Sequence, residues 1–168
     1  MAKQKYLSLV KSSAEKIEKE TGISWKALIA ISALETGWGR FVCKDSKNLF
    51  NIKGKGPAGS VTVKTREWYT PSKWESLRKQ GVPFELTGRE STNRTKTLEG
   101  FVHDHFRAYN SYDESFADFV RLISEAPRYK KSYEARRDPK EFVRLLHAAG
   151  YATDPKYSDK LISIINNL

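Results

Sequence analysis

Residues 24–41 read SWKALIAISALETGWGRF, and how this stretch folds decides the rest of the chain. Ser24 is a suitable N-cap, Trp25 to Thr36 contains no helix breaker, and Gly37 follows where such a helix would end. The centre, ALIAISAL, is apolar nearly all round, which marks a helix buried in a core. Glu35 breaks the pattern. Leu28, Ile31 and Ser32 precede it at helical spacing, so its carboxyl shares their face. It also sits in the last turn, where the helix dipole presents its negative end. Burial and dipole both oppose ionisation, so the spacing predicts a carboxyl with a raised pKa. A carboxylic acid kept protonated near neutral pH is what a general acid must be. A glutamate paired with Arg40, or reaching water at the helix end, would also satisfy these positions. Gly37 and Gly39 permit a tight turn, and Trp38 offers a flat apolar ring of the kind sugars stack on. Together they favour an acid beside a cleft.

Working outward, Tyr6, Leu9, Val10, Ala14 and Ile17 recur at helical spacing and predict a helix over about 4–20, closed by ETG. Downstream, NLFNIKGKGPAGSVTVKTREWY (48–69) carries Gly and Pro punctuation and then alternating β-branched residues. It predicts a hairpin or small sheet over about 49–69. Residues 71–100 are polar without a clear period and read as a long loop or hairpin extension. FVHDHFRAY (101–109) alternates again and predicts a returning strand. Helices then resume. Ser111 or Asp113 caps ESFADFVRLISEA, Asp138 and Pro139 open RDPKEFVRLLHAAG with Gly150 at its end, and Asp154 and Pro155 repeat the device. The fold class expected is α+β, mainly α, as one domain over 1–168 with a β excursion at about 49–109.

Composition bounds the function. With 39% hydrophobic residues the chain should bury a real core, and no apolar run approaches the ~20 residues that span a bilayer. The start, MAKQKYLSLVKSSAEK, has no apolar core of a signal peptide, so release by another route, or a domain cut from a longer protein, is expected. The net charge of +10 favours polyanions: nucleic acid, anionic membrane or acidic polymers of a bacterial wall. The lysines are scattered and no nucleic-acid-binding motif accompanies them. Cys43, the one cysteine, can form no intramolecular disulfide and reads as structural. His103 and His105 alternate on one strand without a third ligand, so no metal and no cofactor are expected.

Five ordered motifs carry a resemblance: ALETGWG, NLFNIKG, FRAYNSYDESFADFVRLI, PRYKK and AGYATDPKYSDKLISII. Together they resemble the mannosyl-glycoprotein endo-β-N-acetylglucosaminidase-like family, the glycoside hydrolase family 73 group of peptidoglycan glucosaminidases. That group includes the muramidase domain of flagellar rod-cap proteins. The resemblance covers about 24–70 and 106–168. It implies a lysozyme-like helical lobe with a small β-lobe bordering the cleft, and cleavage of bacterial peptidoglycan glycan strands after N-acetylglucosamine at the cell wall. A monomer is expected.

Carried over, Glu35 in ETGWG resembles the family's general acid. The second carboxylate of the family lies in a β-lobe segment similar to VTVKTREWY, where Glu67 is the sole acid. Alternation independently puts Glu67 on one strand face with Val61, Val63 and Thr65, although a surface glutamate paired with Lys64 fits as well. Tyr151 resembles the family's tyrosine near the acid, with Tyr157 an alternative for that place. Trp38, Asn48, Phe50, Asn51, Trp68 and Tyr157 are the candidate substrate-binding residues, and Trp68 and Trp74 could equally pack the lobe. About thirty extra residues before FRAY depart from the family pattern and suggest a longer flap over the cleft. Inversion, a covalent intermediate and assistance by the substrate's acetamido group all remain open, with net hydrolysis without a covalent enzyme intermediate favoured. A lytic transglycosylase or muramidase would use the same acid, and a non-catalytic wall- or polyanion-binding module would use only the charge.

Overall fold

In a computed structural model, which describes residues 3–42, 45–91 and 95–168, the buried helix is the centre of the molecule. Cys43 lies outside the described residues. Helix α2 (Trp25–Thr36) buries all of Ala27 to Ala33. Around it stand α1 (Lys3–Thr21), α6 (Pro139–Ala148) and α7 (Tyr157–Asn166), with α4 (Tyr112–Glu125) packed on α1. Tyr6, Val10, Ala14 and Ile17 are the inward face of α1, whereas Leu9 is exposed.

The two ends of α2 are closed differently, the first by a side chain of α1 and the second by backbone. Ser24 occupies the N-cap position, but its hydroxyl makes no capping bond; Glu18 Oε1 instead accepts from the Trp25 N–H at 3.2 Å. At the other end Gly37 takes φ 55°, and the Trp38 and Gly37 N–H groups donate to the Ala33 and Leu34 carbonyls at 2.8 and 3.4 Å. This is the left-handed stop that favours glycine. Side-chain caps do form elsewhere: Ser111 accepts from Glu114 N, and Asp138 accepts from Lys140 N and Glu141 N. Asp154 accepts from Lys156 N, yet α7 begins only at Tyr157, later than the Asp-Pro signal suggests. A single 3₁₀ turn (Pro127–Tyr129) and a short α5 (Lys130–Glu134) link α4 to α6.

Of the two readings of 71–100, the hairpin extension holds among the described residues and the loop does not. Thr70 caps α3 (Pro71–Lys79), and β2 (Phe84–Ser91) follows. With β1 (Ser60–Tyr69) and β3 (Thr97–Arg107) it forms an antiparallel sheet in the order β1-β3-β2. Trp74 and Leu77 on α3 bury against Val102, with Tyr69, Val82, Phe84 and Leu98 around them. This is a second core, separate from the main one. Gly100 is required there: a Cβ would meet the Trp74 ring at 2.7 Å.

The β-lobe joins the helices through the chain between α2 and β1. Arg107 N donates to Ile52 O at 2.9 Å and Gly54 N to His105 O at 2.8 Å. At the end of β3, Asp118 on α4 accepts from Arg107 Nη1 and from Tyr109 OH, both at 2.7 Å.

Candidate active site

Glu35 closes the last turn of α2, half-buried, with the start of α7 and the turn carrying Asn51 converging on it. The hydroxyl of Tyr157, the first residue of α7, donates to Glu35 Oε1 at 2.9 Å. Asn51 Nδ2 donates to the Glu35 backbone carbonyl at 3.1 Å, satisfying an acceptor that the end of a helix leaves without a partner. Burial pushes the Glu35 carboxyl above the usual range, and the bonds from Tyr157 and Asn51 offset only part of that. Among the described residues Glu35 makes no ion pair, so Arg40 does not neutralise it. Burial, and then the nearby Glu35 charge, drive the Tyr157 phenol strongly up, so it stays a donor.

Tyr157, expected either at the sugar or as the alternative to Tyr151 beside Glu35, is the tyrosine bonded to the Glu35 carboxyl. Tyr151 stands one ring behind. Its centroid is 5.9 Å from that of Tyr157 and 6.0 Å from that of Tyr129, with Phe119 edge-on at 6.1 Å. Burial, and then Glu35, likewise raise its phenol. The rings of Tyr157, Tyr151 and Tyr129 thus form a row leading away from the carboxyl.

Asn48 and Phe50, also expected at the substrate, are inside the protein. Asn48 is fully buried and all its polar valences are used: Nδ2 donates to Ile52 O and Arg107 O at 2.9 and 3.0 Å, and Oδ1 accepts from Phe50 N and Ile52 N. It shapes the site from beneath by fixing the turn that delivers Asn51, whose φ is 52°. Phe50 stacks on Phe119 at 4.1 Å in the main core. Trp38, at φ 59°, turns its ring onto α1, edge-on to Tyr6 at 5.9 Å. The aromatic wall beside Glu35 is made by tyrosines instead.

Glu67 shares a strand face with Val61, Val63, Thr65 and Tyr69, as alternation predicts. It makes no hydrogen bond or ion pair with Glu35, and its neighbour is Tyr69, whose phenol is raised by burial and then by the Glu67 charge. Trp68 is 43% exposed and lies on the opposite face, paired with Glu99 across the sheet. The two candidates cannot serve the same side of the sheet. Trp74 packs the lobe. His105 Nδ1 is 3.0 Å from Thr62 Oγ1, and His103 Nε2 is 3.5 Å from Glu85. Among the described residues no group of three His, Cys, Asp or Glu is placed to hold a metal.

Residues 11–168 match the model of the Glucosaminidase family, described as mannosyl-glycoprotein endo-beta-N-acetylglucosaminidase. The chain belongs to the glucosaminidase family. A peptidoglycan hydrolase FlgJ of Vibrio parahaemolyticus is 34% identical over 167 residues, which are 96% of this chain and 46% of that protein. The exo-glucosaminidase LytG of Bacillus subtilis is 30% identical over 142 residues, 82% of this chain and 41% of that protein. This glucosaminidase-family chain thus spans less than half the length of either curated relative. Among solved structures, a peptidoglycan hydrolase mutant from Sphingomonas sp. A1 aligns with a TM-score of 0.67 at 31% identity, covering 97% of this chain and 92% of that one. The catalytic domain of the autolysin Auto from Listeria monocytogenes aligns at 0.72 and 26%, covering 98% and 83%. The glucosaminidase fold here is therefore the lysozyme-like one, a helical lobe with a small antiparallel β-lobe.

In this glucosaminidase scaffold, Tyr129, which the sequence did not single out, stands at the end of the tyrosine row. Its signal was PRY: Pro127 opens the 3₁₀ turn that presents the ring, and Arg128 lies over it at 5.0 Å.

Proposed function

We propose that this domain, residues 1–168 acting as one unit, hydrolyses the β-1,4 bond after N-acetylglucosamine in bacterial peptidoglycan, with Glu35 as the general acid. One observation carries the reading: the one carboxyl in the buried helix is raised in pKa, makes no ion pair among the described residues, and receives a tyrosine hydroxyl at 2.9 Å. Membership of the glucosaminidase family supports the bond, and its relatives, a peptidoglycan hydrolase and an exo-glucosaminidase, support the substrate and a place of action at the cell wall.

Glu35 gives its proton to the glycosidic oxygen as the bond breaks through an oxocarbenium-like state. The carboxylate left behind is the form that the Tyr157 hydroxyl stabilises, so the hydrogen bond strengthens as the proton departs. Tyr151 and Tyr129 offer ring faces to the sugars. Glu67, carried by the separately packed β-lobe, orients the water that adds to the anomeric carbon and accepts the proton it loses, and no covalent enzyme intermediate forms. Glu35, Asn51 and Tyr157 all come from one chain, so a monomer suffices.

Mass spectrometry of purified sacculi digested by the protein tests this. Chains ending in reducing N-acetylglucosamine are expected. Ends of 1,6-anhydromuramic acid would make it a lytic transglycosylase, and reducing N-acetylmuramic acid a muramidase. Binding to sacculi without cleavage would make it a wall-binding module.

A further inference from the structure

The charge of this protein is not evenly spread. Of the 18 residues from Pro127 to Arg144, seven are Lys or Arg and three are Asp or Glu. The fold turns this excess outward: Ser132, Phe142, Val143 and Leu146 face the core, while Lys130, Lys131, Arg137 and Lys140 are exposed. None of those four side chains has a hydrogen bond or an ion pair among the described residues. The acids do little to offset them. Asp138 is spent capping α6, Glu141 lies 3.5 Å from Arg144, and Glu134 makes no side-chain bond or ion pair among the described residues.

This basic face starts where the row of tyrosines ends. From Glu35 the row runs through Tyr157 and Tyr151 to Tyr129, and Arg128 lies over Tyr129 while its guanidinium donates to the Ala149 and Gly150 carbonyls at 2.7 and 3.0 Å. Tyr157 is buried, whereas Tyr151 and Tyr129 are part-exposed, so a glycan seated on those two rings brings whatever it carries toward the exposed lysines that follow Tyr129. In peptidoglycan the muramic acid residues carry short peptides that end in carboxylates.

We propose that the exposed cations of residues 128–144 bind the peptide carboxylates of the glycan, so that peptide-bearing strands are the preferred substrate over bare glycan. The inference rests on the reading of the domain as a peptidoglycan hydrolase. Charge complementarity supports an anionic partner. Continuity with the aromatic row favours anions on the substrate itself over a separate phosphodiester polymer, which would gain nothing from adjacency to the acid.

The test is the triple variant Lys130→Gln/Lys131→Gln/Lys140→Gln, assayed on glycan strands with intact peptides and on strands stripped by an amidase. Each screened surface charge contributes a factor of roughly two, so kcat/KM on peptide-bearing strands should fall about tenfold at low salt. On stripped strands it should not change, and the wild-type preference should fade as salt rises. Equal loss on both substrates, or no loss on either, would overturn the proposal. So would a defect seen only on walls that keep their phosphodiester polymers, which would make that polymer the partner. Cosedimentation of the Glu35→Gln variant with both glycans reads the preference without cleavage. If wild type cleaves neither glycan the hydrolase reading fails, whereas equal cleavage and equal binding of both sink this inference alone.

Discussion

Removing the Tyr157 hydroxyl should make the general acid weaker and extend activity to higher pH. In the structure that hydroxyl donates to Glu35 Oε1 at 2.9 Å, with Tyr157 buried and Glu35 half-buried. A donor to a carboxylate favours the ionised form, so it lowers the pKa that burial raises. Tyr157→Phe deletes the donor and leaves burial in place. A hydrogen bond to a charged group contributes about 1.5–3 kcal/mol, and 1.36 kcal/mol corresponds to one pH unit. The alkaline limb of the kcat/KM profile, which reports loss of the proton from Glu35, should therefore move up by at most about one to two pH units, since the hydroxyl also bonds the neutral carboxyl more weakly. The plateau should fall, because the carboxylate formed in the transition state has lost its partner. The assay is release of reducing ends from soluble glycan across the pH range, with Tyr151→Phe as a comparison that leaves the Glu35 hydrogen bond intact. An alkaline limb that stays in place, or moves to lower pH, would refute the assignment of that limb to Glu35 or of the donor to Tyr157.

Two further outcomes follow from the architecture. Asn48→Ala should cost about 2–4 kcal/mol in urea denaturation, because it strips partners from buried backbone groups of Phe50, Ile52 and Arg107; a loss below about 0.5 kcal/mol would mean that the turn holds without it. Gly100→Ala places a Cβ within 2.7 Å of the Trp74 ring and 2.9 Å of the Glu85 carbonyl, so hydrogen exchange should quicken in 60–107 by the equivalent of about 1–3 kcal/mol while α1, α2 and α7 keep their protection.

What the sequence made legible was local. The apolar run, Gly37 and a carboxylate at the helix end lie within fifteen residues, and all of them fold as their spacing implies. The same holds for the Ser111 and Asp138 caps. Helix α3 was harder, because only Trp74 and Leu77 of its nine residues are buried and the remainder is polar. Its one clear signal was Thr70 followed by Pro71, a cap and a first-turn proline. Strand β2 is an edge strand with little burial on either face, so it leaves no alternating pattern to read. The roles of Tyr151 and Tyr157 could not be separated from the sequence. The bond to Glu35 spans 122 positions, and which ring reaches it depends on α7 beginning at Tyr157. Trp38 likewise looked like a cleft wall, until a left-handed backbone turned it toward Tyr6.

The central claim is that Glu35 supplies the proton. Glu35→Gln keeps the size of the side chain and a polar group facing Tyr157, but it has no proton of suitable acidity to give. Wild type and variant should be compared side by side on the same sacculi, with reducing-end N-acetylglucosamine counted by mass spectrometry. The account predicts clear release by wild type and a loss of about 10²–10⁴-fold in the variant, with its thermal stability retained. Release by Glu35→Gln within a few-fold of wild type would contradict it.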